Sequence, residues 1–314
     1  MLMDKVINPV VSILLPMKNA ARYIQATIQS LLNQSFLDFE IIVINDGSDD
    51  GCEALVESFD DKRIKVFQGK SNGISAALNL ALSLAKGRYV CRCDADDLYP
   101  VDRLKSQVGW LESHANYIAV AGKFSSMDEQ GNVIAEFNTG SEACDLTAEL
   151  LRGVTRTHLG AFLIKREILA QLKGFREYFV TAEDIDLQLR LGELGRVAYI
   201  PENMYFYRIH NSSITHVQSS NKRVFYENTA REFLMQRLNE GLDQLEKGEP
   251  PTPPPIDDQP SDSKVQIVGY LLGESWRLHN KGYKKKALNV SIRACVKMPT
   301  NWRVWKNLMM IILK

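Results

Sequence analysis

The chain has 314 residues, 45% hydrophobic and 24% charged, which is ordinary for a globular protein with one large core or two modest ones and excludes collagen-like, mostly disordered and disulfide-scaffold classes. Lys plus Arg and Asp plus Glu number 38 each, so no overall basic excess points to a nucleic-acid partner. The balance hides an asymmetry. From Asp262 to Lys314 eleven basic residues stand against two acids, Asp262 and Glu274, giving this stretch +9 and the remainder −9.

No apolar run approaches the roughly 18 residues of a membrane span; Leu308–Leu313 is among the longest. Met1 to Val10 lacks the basic-then-apolar order of a signal peptide. The five Cys residues are scattered, as expected of reduced thiols in a cytoplasmic protein. Cys91 and Cys93 form a lone C-x-C pair, better read as small strand residues than as zinc ligands.

In chain order, Val10–Leu15 is a β-branched and Leu-rich run stopped by Pro16, and Asn19 precedes a helix carrying Ile24, Ile28, Leu31 and Leu32 on one face. Ile41–Ile44 is a second apolar run, ending in the turn Asn45-Asp46-Gly47-Ser48. Ile64–Phe67 is a third strand, followed by a helix with Ile74, Ala77, Leu78, Ala81 and Leu82 on one face, closed by Gly87. Arg88–Cys93 is a fourth strand that runs straight into Asp94-Ala95-Asp96-Asp97, and Leu104, Val108 and Leu111 mark the next helix. Strands of continuous rather than alternating hydrophobicity, each followed by a helix, predict a buried parallel sheet with helices on both faces. The polar clusters at 16–19, 45–50 and 94–97 then fall at the carboxyl ends of strands, where such sheets bind ligands.

Farther along, helices are expected over Asp145–Leu151, Lys165–Gln171, Asp184–Glu193 and 222–245, with strands over Val197–Ile200 and Tyr205–Ile209. Five prolines between Pro250 and Pro255 predict an extended linker. Helices follow over Val265–His279, Lys284–Val296 and Asn301–Lys314. The expected organisation is a catalytic domain over 1–240, a linker over 241–263 and a basic helical region over 264–314.

Four clusters carry chemistry. The three carboxylates of Asp94, Asp96 and Asp97 repel unless a positive group sits among them. A hard divalent cation with bound diphosphate would answer that, and so would a solvated acidic turn capping the helix near Val101. Asp46, followed by Gly47, is placed to accept hydrogen bonds from a base or ribose, or simply closes a turn. Glu183-Asp184 opens a helix whose dipole keeps carboxylates ionised, which suits a general base and equally an acidic first turn. Arg208 and His210 share one strand face, fit for phosphate or metal or for a surface pair. His158 is open to a loop or core role.

Taken together, these clusters identify a resemblance. Val11–Asn19, Asn45-Asp46-Gly47-Ser48, Asp94-Ala95-Asp96-Asp97, Gly160-Ala161 ahead of an apolar strand, and Glu183-Asp184 resemble the motif set of the family-2 glycosyltransferases over about two thirds of the chain. The resemblance implies an α/β fold of GT-A type: a nucleotide-binding sheet flanked by helices, here with a small C-terminal helical region. It implies that Pro16, Asn19 and Asp46 hold the nucleotide base, Asp94 lies near the ribose, Asp96 binds Mn²⁺ or Mg²⁺ and Asp184 is the catalytic base. Arg208 and His210 match a looser basic segment near the diphosphate and metal, and Glu183, His158 and Gly160 fall in the acceptor region.

The activity implied is an inverting, metal-dependent transfer of one sugar from a UDP- or dTDP-sugar to a saccharide, lipid-linked in surface polysaccharide synthesis. The Gln-x-x-Arg-Trp signature of processive synthases is absent after Glu183-Asp184, and Asn45 stands where many relatives have Asp. The basic tail, with Trp302 and Trp305, suits either an anionic membrane surface, on the cytoplasmic side, or packing on the catalytic domain. A nucleotidyltransferase or a dinucleotide-dependent oxidoreductase would need a Gly-rich loop after the first strand, where Met17-Lys18-Asn19-Ala20-Ala21 stands instead. A non-catalytic nucleotide-sugar-binding or scaffold protein is the remaining alternative, and the joint presence of Asp94, Asp96 and Asp184 opposes it.

Overall fold

The computed structural model describes residues 8–137, 139–213, 220–255 and 262–313. The first seven residues of the chain, residues 256–261 of the expected linker and Lys314 of the expected last helix lie outside the described residues. The chain divides into two compact units. One takes Met1–Phe124, Thr139–Tyr205 and Val224–Pro253; the other takes Ser125–Asn138, Phe206–Arg223 and Pro254–Lys314.

The first unit opens as strand and helix alternate: β1 (Val11–Met17), α1 (Ile24–Leu32), β2 (Phe39–Asn45), α2 (Cys52–Glu57), β3 (Ile64–Gln68), α3 (Ile74–Leu84), β4 (Tyr89–Arg92) and α4 (Arg103–Ser113). The order β3-β2-β1-β4 is parallel throughout. Every residue of β2 and β4 is buried, because helices cover both faces, and this is why the sequence shows unbroken apolar runs. Parallel direction brings the ends of β1, β2 and β4 to one rim; Met17 lies opposite Asn45 in the register.

Beyond β4 the sheet turns antiparallel. β8 (Phe162–Lys165) pairs with both β4 and β5 (Tyr117–Met127), and β9 (Arg196–Arg208) and β7 (Cys144–Asp145) complete the path. α5 (Thr147–Leu150), α6 (Arg166–Gln171) and α7 (Glu183–Leu194) stand where helices were expected. The two expected strands near residues 197–209 are one, β9. Pro201, Glu202 and Asn203 interrupt its apolar pattern without ending its extension, since partly exposed positions tolerate polar side chains. α8 (Ser220–Glu240) stops five residues before the expected end, where Gly241 adopts φ +83°. The five Cys residues are free thiols.

The second unit has its own core. β6 (Val133–Glu136) pairs with the end of β5, and α9 (Ser263–Asn280), α10 (Lys284–Lys297) and α11 (Trp302–Leu313) follow. Ile134 and Ile209 pack with Ile267, Leu271, Ala294 and Val304. Among the described residues no helix is long and apolar enough to cross a membrane.

Candidate active site

At the ends of β1 and β2 the chain makes two interlocked turns. Asn19 takes a left-handed conformation, φ +51°, which Asn tolerates better than most residues. Its backbone N–H donates to Ser48 Oγ at 3.1 Å and its Oδ1 accepts from the Asp49 N–H at 3.0 Å. Asn45 Oδ1 accepts from the Ser48 N–H, so the Asn at this position braces the turn internally. Pro16 sits opposite Ile44 in the register. Asp46 follows β2 with only 4% exposure. Its Oδ2 accepts from the Gly73 N–H at 2.9 Å, whereas its Oδ1 is buried without a hydrogen-bond partner. A side chain at residue 69 would put a carbon 2.7 Å from that oxygen, so Gly69 keeps the space before it open. A buried carboxylate oxygen lacking a donor is costly unless a ligand N–H or O–H supplies one.

The end of β4 answers the repulsion among the three acids with a cation from the strand itself. Arg92 donates from Nε to Asp94 Oδ1 at 2.7 Å and from Nη1 to Glu183 Oε1 at 2.7 Å. Burial opposes the charge on Arg92, yet Asp94 and Glu183 hold its pKa well above the ordinary arginine value. The Asp94 backbone N–H donates to Tyr99 OH at 2.6 Å. Asp97 is buried and accepts from Tyr205 OH, which also reaches Asp94 Oδ2 at 3.4 Å. Burial and the neighbouring acids push the Tyr205 phenol well above its ordinary pKa, so it remains a donor. Asp96 is partly exposed at the same turn.

α7 brings the other acids. Ala182, just before it, has φ +63°, a conformation costing of order 1 kcal/mol or more for a non-glycine residue and often held at functional sites. Glu183 is buried on Arg92, and burial raises its pKa in spite of that partner. Asp184 is partly exposed, its Oδ1 accepting from the Ile185 N–H at 2.9 Å. Its Oδ2 lies 3.7 Å from His158 Nε2. His158 Nδ1 accepts from the Gly160 N–H at 3.0 Å, which leaves the proton of the neutral ring on Nε2, facing Asp184. Burial lowers the His158 pKa despite Asp184. The imidazole stacks on the Tyr205 ring at 4.9 Å. A side chain at Gly160 would lie 2.8 Å from Tyr205 Cζ, so the glycine is what lets that ring approach.

The structure thus joins Asp94, Glu183, Asp184, His158 and Gly160 through Arg92 and Tyr205, with Pro16, Asn19 and Asp46 on neighbouring strand ends of the same unit. Arg208 and His210 belong to the second unit. There the Arg208 guanidinium donates to the carbonyls of Asp128 and Glu129, and His210 Nδ1 pairs with Ser212 Oγ at 2.8 Å.

The rim also suits a metal. Among the described residues no three His, Cys, Asp or Glu side chains are arranged to hold a metal ion by themselves. Asp96 is partly exposed at the turn that carries Asp94, and a Mg²⁺-type ion takes one or two carboxylates and completes its shell with substrate phosphates and water. The hard-oxygen donor set fits Mn²⁺ or Mg²⁺.

Sequence reasoning missed Arg92, Tyr99 and Tyr205. Arg92 was detectable: it lies two residues before Asp94 on an otherwise apolar strand, and alternate residues share a face. Tyr205 carries no such signal, being 111 residues from Asp94 in the chain.

Comparison with known proteins identifies the family. The sequence profile of "Glycosyl transferase family 2" matches residues 12–172. The Bacillus subtilis (strain 168) protein named "Putative teichuronic acid biosynthesis glycosyltransferase TuaG" is 31% identical over 221 residues, 68% of this chain and 83% of that protein. A Pasteurella multocida (strain Pm70) chondroitin synthase is 28% identical over 69% of this chain, but the chain spans only 22% of that protein's length. Among solved structures, S. aureus TarS 1–349 in complex with UDP-GlcNAc superposes with a TM-score of 0.62 at 18% identity, covering 95% of this chain and 84% of that one.

Proposed function

The chain belongs to glycosyl transferase family 2, and from that premise we propose that it moves one sugar from a UDP- or dTDP-sugar to a saccharide hydroxyl with inversion, in the building of a bacterial surface polysaccharide. The observation that supports this most is the Arg92 bridge, which ties the Asp94 strand end to the Glu183-Asp184 turn. A donor site and a base must be neighbours for a direct displacement.

The buried, unpartnered Asp46 Oδ1 accepts from a base N–H, with Pro16 and Asn19 shaping the floor of that pocket. Asp94 faces the ribose. Asp96, with Asp94 beside it, would hold Mn²⁺ or Mg²⁺, which supplies charge neutralisation for the departing diphosphate. Asp184, partly exposed, takes the proton of the acceptor hydroxyl as its oxygen attacks the anomeric carbon and the sugar–phosphate bond breaks. One displacement by one incoming oxygen inverts the configuration, and no enzyme nucleophile is involved. Glu183, held on Arg92, fixes the start of α7; His158 and Gly160 set the wall beside Asp184. The names of the relatives, teichuronic acid biosynthesis and chondroitin synthase, support a polysaccharide acceptor, and a lipid-linked saccharide is the form we assign to it. The roles of Arg208 and His210 toward diphosphate and metal rest on the resemblance alone.

The test is release of nucleoside diphosphate from a panel of UDP-, dTDP- and GDP-sugars with Mn²⁺ or Mg²⁺. Asp184→Asn should keep nucleotide affinity and lose about 10²–10⁴ in rate, the scale of a general base. Near-normal turnover by Asp184→Asn would remove the base from this residue, and a fully inactive wild type that still binds no donor would favour the non-catalytic alternative.

A further inference from the structure

α11 packs its Val304, Asn307 and Ile311 inward. On the opposite side Trp302, Trp305, Met309 and Ile312 follow one another at spacings of three, four and three, a single helical stripe. They are 64%, 47%, 61% and 62% exposed. An ordinary surface helix is polar on that side. Basic residues border the stripe: Arg303 is exposed, and Lys306 places its Nζ 5.4 Å over the Trp302 ring. In the same unit α10 exposes Ile292 and Val296 and opens with Lys284, Lys285 and Lys286. An exposed apolar stripe along a surface helix marks an interaction site.

We propose that this face docks on an anionic lipid bilayer surface, the indole and aliphatic side chains of α11 entering the headgroup region while Lys285, Lys286, Arg303 and Lys306 meet lipid phosphates. Charge selects this occupant. Residues 262–314 carry eleven basic residues against two acids, so an isologous contact between two copies would bring two net-positive segments together, whereas an anionic leaflet attracts each lysine and arginine near its surface. Trp and basic side chains on a short amphipathic helix match the interfacial belt, where one end of the side chain is apolar and the other wet. The stripe belongs to a helix of 12 residues, which lies on a bilayer rather than crossing it. This inference does not depend on the catalytic reading.

Co-sedimentation of the full chain with large unilamellar vesicles tests it. Binding to phosphatidylglycerol–phosphatidylcholine vesicles should exceed binding to pure phosphatidylcholine at least tenfold, weaken in 0.5 M salt, and shift tryptophan emission to the blue. Met309→Glu/Ile312→Glu should lower binding tenfold or more with an unchanged circular-dichroism melt and unchanged donor hydrolysis. Lys285→Glu/Lys286→Glu should lower it for anionic vesicles only. Asp184→Asn should bind as the wild type does, which separates failure of this inference from failure of the catalytic one. Absence of wild-type co-sedimentation, equal binding by Met309→Glu/Ile312→Glu, or a dimer in analytical ultracentrifugation that this variant dissolves would each overturn the proposal, the last by giving the face to a second copy.

Discussion

Arg92 is the side chain on which the most site geometry depends. Its side chain and that of Glu183 are almost wholly enclosed, and Asp94 is nearly so. Removing one member of such a set leaves charge buried without a partner, at a cost of about 3–5 kcal/mol. Arg92→Ala should therefore lower stability by that order and turnover with it, read by denaturant unfolding and donor hydrolysis. Arg92→Lys keeps the charge but loses the fork that reaches two carboxylates at once, so it should recover part of the stability and little of the turnover. His158 yields a pH prediction. Its folded pKa is below the ordinary 6.5 because it is buried, so its neutral form contributes stability that is present above pH 6.5 and lost as pH falls from 6.5 through the lowered value. Melting temperatures taken stepwise from pH 7.5 to 5 should fall more steeply for the wild type than for His158→Gln; parallel curves would show that the imidazole does not titrate in this way. Glu183 has the opposite sign, since burial raises its folded pKa: its contribution is present below 4.5 and lost as pH rises through the raised value. The acids of this site were legible in the sequence because carboxylates at strand ends and helix starts stand out locally. What holds them was not, because Tyr205 and the bridge from Arg92 to Glu183 exist only once distant segments meet.

At the scale of elements, three helices of the second unit share one polar pin. Asn307 of α11 donates from Nδ2 to Ser275 Oγ of α9 at 3.0 Å and to Ser291 Oγ of α10 at 2.8 Å, all buried. Asn307→Ala removes the donor to both enclosed hydroxyls, of which Ser275 keeps its own bond to the Leu272 carbonyl, a loss of about 1–3 kcal/mol. A lowered unfolding midpoint, partly regained by Asn307→Gln, is the expected result; an unchanged midpoint would mean that the apolar contacts of Val304 and Leu271 alone hold the bundle. The helices themselves were legible from apolar spacing, and so were β1 to β4, whose complete burial writes continuous apolar runs. The antiparallel half of the sheet was much less so. β5 and β8 pair with strands far off in the sequence, and β9 hides its length behind Pro201, Glu202 and Asn203. Strand assignment there depends on partners rather than on the strand's own residues.

For the molecule as a whole, the second unit is not a sequence-contiguous tail. Its core takes Ile134 from β6 and Ile209 from beyond β9, together with Ile267, Leu271, Ala294 and Val304 of the C-terminal helices. The helices supply most of that core, yet the strand segments that complete it are inserted in the chain that forms the first unit. A chain ended after Pro253 would keep Ile134 and Ile209 while deleting the side chains that bury them. Each fully buried isoleucine is worth about 1.5–3 kcal/mol relative to an exposed one, and the newly bared apolar surface is an association hazard. The truncated chain should therefore be less soluble, bind an apolar fluorescent dye and unfold at lower temperature than the full chain. The variant Ile134→Ser/Ile209→Ser in the truncated background should restore solubility, because the residues left bare would then be polar. A truncated chain that melts and dissolves like the full one would mean that the C-terminal helices bury little that the first 253 residues need covered. Under the proposed function, UDP with Mn²⁺ would give an internal control: a ligand held by the native first unit at one hundred times its dissociation constant adds about 2.7 kcal/mol to that unit, so a truncated chain whose melt rises on nucleotide addition as the full chain's does would have kept the site while losing the cover.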